Sequence, residues 1–128
     1  MATLNAAGII VQDMARALEF YRLLGLEIPE GAEEDSHVEY TAPGGFRVMF
    51  DTTAVIESFD TEYARSPGNT VVFAFLCESP QAVDDLYDEV TALGHEGPRP
   101  PWDAFWGQRY ATVRDPDGHL IDLFAPLD

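Results

Sequence analysis

The sequence predicts an α+β fold in a single domain, written as two similar halves. Three observations carry this. Two segments have helix signals at both ends, each lies between short apolar strand-like runs, and the second half repeats the order of the first. A period near half the chain points to pseudo-symmetry, because a solenoid needs more and shorter repeats.

The first strand covers Gly8 to Val11. Asp13 is placed to cap the helix that follows, Met14 to Leu24, and Gly25 suits the left-handed position that ends it. Met14, Ala17, Leu18 and Tyr21 share one face of that helix at helical spacing. The acidic run from Glu30 to Asp35 reads as a solvated turn, and Pro43-Gly44-Gly45 turns one strand into the next. Residues 52–69, ending in Ser66-Pro67-Gly68-Asn69, are long for a plain connection and point to a short helix or a functional loop.

The second half opens with an apolar strand from Thr70 to Cys77. Ser79 as cap and Pro80 at the first helical position start a helix that Gly94 ends. Val83, Leu86, Val90 and Leu93 form its buried stripe, while Asp84, Asp85, Asp88 and Glu89 face water. From Gly97 to Gly107 the chain reads as an irregular Pro-rich loop carrying Trp102, Phe105 and Trp106, and Asp115-Pro116-Asp117-Gly118 is the last turn. Asp13 aligns with Ser79, and residues 42–50 align with 115–123. Each half is therefore a strand, a helix and about three more strands, with modules at about 1–51 and 70–128.

Composition narrows the function classes. With 46% hydrophobic residues in 128, the chain can bury a core. Seven basic residues, all Arg, against 23 acidic ones give a net charge of −16. That field repels phosphate backbones and anionic lipid, so neither nucleic acid nor a membrane is an expected partner, and it attracts cations. Met1 to Asn5 begins no secretion signal and no apolar run is long enough to span a bilayer, so a cytoplasmic location is expected. The single cysteine, Cys77, excludes an internal disulfide and a multi-thiolate metal site, and its apolar strand points to an inert buried thiol.

The residues Val11-Gln12-Asp13, Phe20-Tyr21 and Leu24-Gly25 in the first half resemble the vicinal-oxygen-chelate superfamily of glyoxalases, bleomycin-resistance proteins and extradiol dioxygenases. In the second half the resemblance lies in Trp106-Gly107-Gln108-Arg109-Tyr110, in Arg114-Asp115-Pro116-Asp117-Gly118-His119 and in Ile121-Asp122-Leu123-Phe124. It implies paired βαβββ modules forming a curled mixed sheet around a cavity, in a homodimer. Enzymes of this superfamily bind a divalent metal through four equivalent strand positions, usually His, Gln or Glu. Carried over, those positions hold Ala6, Met49, Val72 and Asp122. Ala and Val offer no donor, a thioether prefers soft ions, and one carboxylate does not hold a catalytic metal. No metal and no cofactor are expected.

His37, His95 and His119 have no metal-ligand spacing. His95 and His119 read as surface residues, and His37 opens a strand. With the metal positions empty of donors, the expected ligand-binding residues are Met49, Asp51, Trp102, Phe105, Trp106, Arg109, Tyr110 and Asp122. Aromatic walls with a few carboxylates suit a cationic or polycyclic aromatic small molecule, Asp51 or Asp122 meeting a positive group. The same aromatics also fit a role in closing the core or sealing a dimer, with Asp122 held by Arg109. The leading reading is a metal-free small-molecule-binding protein of the bleomycin-resistance kind, with drug or antibiotic sequestration as its role. The alternative is a metal-dependent lyase, isomerase or thiol transferase with a non-standard site, using Asp122, His37 and Asp51 as acid–base groups.

Overall fold

The computed structural model describes residue 1, residues 3–59 and residues 71–128. The fold is α+β with two mixed sheets, neither closed into a barrel. The chain divides into two compact units, residues 1–66 and 67–128.

In the first unit, β1 (Ala6–Val11) leads into α1 (Met14–Leu23), followed by β2 (His37–Thr41), β3 (Arg47–Thr52) and α2 (Thr53–Glu57). The sheet order is β1-β3-β2, with β1 parallel and β2 antiparallel to β3. Asp13 caps α1 by accepting from the Arg16 amide, and Gly25 takes φ +104° just past its end. The expected stripe Met14, Ala17, Leu18 and Tyr21 is buried, with Phe20 beside it. It packs on Ile9, Val11, Val38 and Phe50, which alternate with less buried neighbours along their strands. Tyr21 meets Phe20 edge to face and Phe50 at a tilt, with ring centroids 5.1 Å apart in each pair. Each such ring contributes about 1.5–3 kcal/mol by leaving water.

The first half departs from expectation in its strand count. Two strands follow α1, not three, and a 3-10 turn at Ala32–Glu34 takes the missing place. Pro29 lacks an amide hydrogen, and Gly31 turns the backbone at φ +91°. The Arg22 guanidinium occupies the carbonyls of Ile28 (3.0 Å) and Pro29 (2.6 Å), and pairs with Glu33 at 2.7 Å. A side chain thus takes the acceptors that a neighbouring strand would need. The acidic run is accordingly anchored and not merely solvated, and the Arg22 hydrogen bond pulls the Glu33 carboxyl below its ordinary range. Within 52–69, the short helix is α2, capped by Thr52 through the Val55 amide. Thr70 and the Ser66 to Asn69 turn lie outside the described residues.

In the second unit, β4 (Phe73–Leu76), α3 (Pro80–Ala92), β5 (Arg99–Ala104), β6 (Gln108–Arg114) and β7 (Leu120–Pro126) form a sheet ordered β4-β7-β6-β5 under one helix. Strand β4 runs parallel to β7, and the other pairs are antiparallel. Ser79 caps α3 and Pro80 opens it. Val83 and Val90 of α3 are buried, as are Ala111, Val113, Ile121, Leu123 and Ala125 of the sheet. Leu86 is half-buried, and Leu93 is exposed because α3 ends just before it.

The Gly97 to Gly107 segment is mostly strand, not irregular loop. Pro100 and Pro101 fall in a register shift between Arg99 and Trp102, and β5 is the sheet edge, where a missing amide costs no ladder bond. His119 is tied into its turn rather than free on the surface. The buried Asp115 carboxylate accepts from the amides of Asp117 and His119, and lies 2.7 Å from His119 Nδ1. His95 is half-buried. Cys77 is half-buried, and desolvation pushes its thiol up, away from the reactive thiolate.

Candidate functional site

On β6 and β7 the residues alternate between a helix-facing side and an open side. Ile121, Leu123 and Ala125 pack under α3, so Leu120, Asp122 and Phe124 point the other way, joined by Tyr110 and Thr112 of β6. Trp102 pairs with Tyr110, which pairs with Phe124, giving an aromatic row across three strands. One step along the strands, Arg99, Thr112 and Asp122 form a polar row.

These rows line a pocket of about 350 Å³ bounded by Arg99, Trp102, Trp106, Tyr110, Thr112 and Asp122. Trp106 stands edge-on to both Trp102 (5.5 Å) and Tyr110 (5.3 Å), and its Nε1 donates to Gln108 Oε1 at 2.9 Å. Tyr110 stacks on Phe124 at 6.2 Å. The Arg99 guanidinium lies 5.1 Å from the Trp102 ring centre.

Asp122 has both oxygens engaged. Tyr110 donates its hydroxyl to Oδ2 at 2.6 Å, and Thr112 donates to Oδ1 at 2.9 Å. Burial, reinforced by the bond to Asp122, pushes the Tyr110 phenol up to about 12, so it is a fixed donor. The alternative in which Arg109 holds Asp122 is therefore replaced by two hydroxyls.

Of the residues singled out in the sequence, Trp102, Trp106, Tyr110 and Asp122 meet at this pocket. Phe105 touches Trp106 edge-on at 4.9 Å but is 91% exposed and does not line the cavity. Arg109 points to the helix side, where Asp84 of α3 binds Nε at 2.9 Å and Asp103 binds Nη1 at 3.0 Å. Those carboxylates, Asp84 foremost, raise its pKa. Asp84 consequently does not simply face water. Adjacent strand residues face opposite sides, so Arg109 and Tyr110 were never both available to one pocket. Arg99 and Thr112 belong to the pocket and were not anticipated.

Met49 and Asp51 belong to the first unit, on the side of β3 away from α1. There His37 Nδ1 lies 2.5 Å from Asp51 Oδ1 and Nε2 lies 3.3 Å from Glu39 Oε1, while Arg47 binds Glu39 (2.9 Å) and Asn5. The Asp51 hydrogen bond raises the His37 pKa, and His37 in turn lowers that of Glu39.

The strand register also refines the metal positions. Met49 pairs with Gly8, and Asp122 with Ala74, these partners lying two residues along from Ala6 and Val72. Neither choice adds a donor, and Asp122 already holds two hydroxyls. Among the described residues no cluster of three or more His, Cys, Asp or Glu is placed to hold a metal ion. The residues do not fit the divalent metal that enzymes of the resembled superfamily use.

The family model described as the Glyoxalase/Bleomycin resistance protein/Dioxygenase superfamily matches residues 3–123. The chain belongs to that superfamily. No curated protein matches it in sequence. Among solved structures it is similar to a glyoxalase/bleomycin resistance protein/dioxygenase family enzyme from Burkholderia phytofirmans PsJN, with a TM-score of 0.83 at 19% identity over 98% of this chain and 100% of that one. A hypothetical protein from S. aureus has a TM-score of 0.80 at 22% identity, over 98% and 95% of the two chains. A superfamily member from Sphaerobacter thermophilus DSM 20745 has a TM-score of 0.68 at 27% identity, over 98% of each. Likeness at the first two levels carries the fold and no chemistry, because this superfamily's fold hosts both binders and enzymes. Among the described residues, no helix is long and apolar enough to cross a membrane.

Proposed function

We propose that this superfamily member is a metal-free small-molecule-binding protein that sequesters a polycyclic aromatic compound, as bleomycin-resistance proteins sequester a drug. The pocket of about 350 Å³ walled by Trp102, Trp106 and Tyr110 carries this reading. Aromatic walls hold a flat ring by stacking with little geometric demand, and stacking requires no metal. The role we assign is drug or antibiotic sequestration in the cytoplasm, by a homodimer.

The test uses a favourable accident of composition. The only two tryptophans of the chain, Trp102 and Trp106, both line the pocket. Titration with acridine or a naphthalene derivative is expected to quench intrinsic fluorescence saturably. Fluorescence that stays unchanged up to the solubility limit of such compounds rejects the reading.

One observation favours a second reading, an enzyme of the lyase, isomerase or thiol-transfer kind. His37 is hydrogen-bonded to Asp51 at 2.5 Å, an arrangement suited to moving a proton. Glyoxalase or thiol-transfer turnover that appears with added nickel, zinc or manganese and disappears with chelator would establish it.

A further inference from the structure

Charge pairing around the pocket narrows the ligand class, and this step rests on the aromatic-pocket reading above. Acids outnumber bases 23 to 7 in this chain, so an arginine without a carboxylate is unexpected. Arg22, Arg47, Arg109 and Arg114 each form an ion pair. Among the described residues only Arg16 and Arg99 have none. Arg16 is exposed on α1, whereas Arg99 lines the pocket.

Arg99 is also presented for use. Its guanidinium carbon lies over the Trp102 ring, 5.1 Å from its centre, a cation–π contact that uses none of its five N–H donors. The β-bulge makes this possible. Three residues of β5 from Arg99 to Trp102 span two of β6, from Thr112 to Tyr110, so both side chains reach the same face. The acid that shares its cross-strand row is Asp122, two strands away, or about 10 Å at ordinary strand spacing. Each oxygen of Asp122 accepts one hydroxyl, from Tyr110 and Thr112, which fixes the carboxylate in place without cancelling its charge. Arg99 is the cation of the pocket lining, and it has no ion-pair partner among the described residues.

We propose that the pocket selects an aromatic ligand carrying an acidic group, a carboxylate or an equivalent planar anion, with the ring over the Trp102–Tyr110 row and the acid against Arg99. A guanidinium fork matches two carboxylate oxygens at once. The net charge of −16 opposes this only weakly, since exposed charges beyond about 8 Å are screened at physiological salt while Arg99 makes direct contact.

Three probes that share one ring test the proposal by fluorescence and calorimetry: naphthalene carboxylate, neutral naphthylmethanol and naphthylmethylammonium. The carboxylate is expected to bind at least about five-fold more tightly than the alcohol, the size of a partly exposed charge-assisted contact. Arg99→Gln should bring the ratio of carboxylate to alcohol affinity to about one, whatever it does to the two affinities in common, because only the carboxylate loses an ion pair. Arg99→Lys, which keeps the charge and loses the fork, should fall between and guards against misfolding of the Gln variant. Tighter binding of the ammonium, or a carboxylate preference that survives Arg99→Gln, overturns the proposal while leaving the aromatic pocket standing. Failure of all three probes to bind overturns both.

Discussion

Removing Trp106 separates the pocket's role in binding from its role in packing. Trp106 is the hub of the cluster, edge-on to Trp102, Phe105 and Tyr110, yet it is 48% exposed. A fully buried Trp→Ala change costs about 3–5 kcal/mol, so half burial scales this to about 2 kcal/mol of stability for Trp106→Ala. Domains of this size have about 5–15 kcal/mol to draw on, and the variant is therefore expected to fold. Loss of the Nε1 bond to Gln108 adds little, because both partners reach water. A stacked aromatic contributes about 1–3 kcal/mol to binding, or roughly 5- to 150-fold in affinity. Urea denaturation gives the first quantity and calorimetric titration with naphthalene carboxylate the second. Trp106→Phe, which keeps a smaller stacking face, should recover part of the affinity. Affinity unchanged by Trp106→Ala in a folded protein refutes the assignment of this side chain to the site. Unfolding of that variant would show Trp106 to be a structural residue and remove the pocket's main wall.

Further outcomes follow from the hydrogen-bonded acids. Tyr110 has its folded pKa raised from 10.0 to about 12, so its contribution to stability is complete below pH 10 and lost as pH rises toward 12. Asp122→Asn should move phenolate formation, followed by ultraviolet absorbance, to lower pH and flatten that loss. His37 is raised mainly by Asp51, so its contribution is present below its ordinary 6.5 and lost as pH climbs through the raised value. In Asp51→Asn the imidazole NMR titration should shift to lower pH. Asp84→Ala breaks the Arg109 pair on the helix side, where the partners are 31% and 25% exposed, and should cost about 1 kcal/mol in urea denaturation. The same variant should leave ligand affinity unchanged; a large affinity loss would place Arg109 in the site after all.

The parts of the fold that were legible in the sequence are those written in local chemistry. Asp13 and Ser79 as caps, Pro80 at a helix start, and Gly25 and Gly94 at helix ends fix both long helices without reference to anything distant. What was not legible depends on contacts between remote residues. The missing third strand of the first half follows from Arg22 reaching carbonyls six and seven residues away, which no periodicity encodes. Strand β5 was hidden by Pro100 and Pro101, whose edge position the local sequence does not reveal.

The candidate site divides in the same way. Trp102, Trp106, Tyr110 and Asp122, which line one pocket, stood out in the sequence as aromatics on or beside a Pro-rich stretch and as a superfamily position. Arg109 pairs with Asp84 and Asp103 on the other side of the sheet, a separation from Tyr110 that strand parity alone implies. Arg99 was not singled out because the Gly97 to Gly107 stretch reads as an irregular loop, and its place beside Trp102 depends on a strand with a bulge between the two residues. That bulge brings them together and gives the pocket its cation.

The central claim is that aromatic stacking, with no metal, makes the binding site. Calorimetric titration of naphthalene carboxylate into protein, before and after exhaustive treatment with a divalent-metal chelator, tests this most directly. The expected result is saturable binding of the same affinity and stoichiometry in both samples. Binding that vanishes with the chelator and returns on adding nickel, zinc or manganese would contradict it and give the enzyme reading the lead.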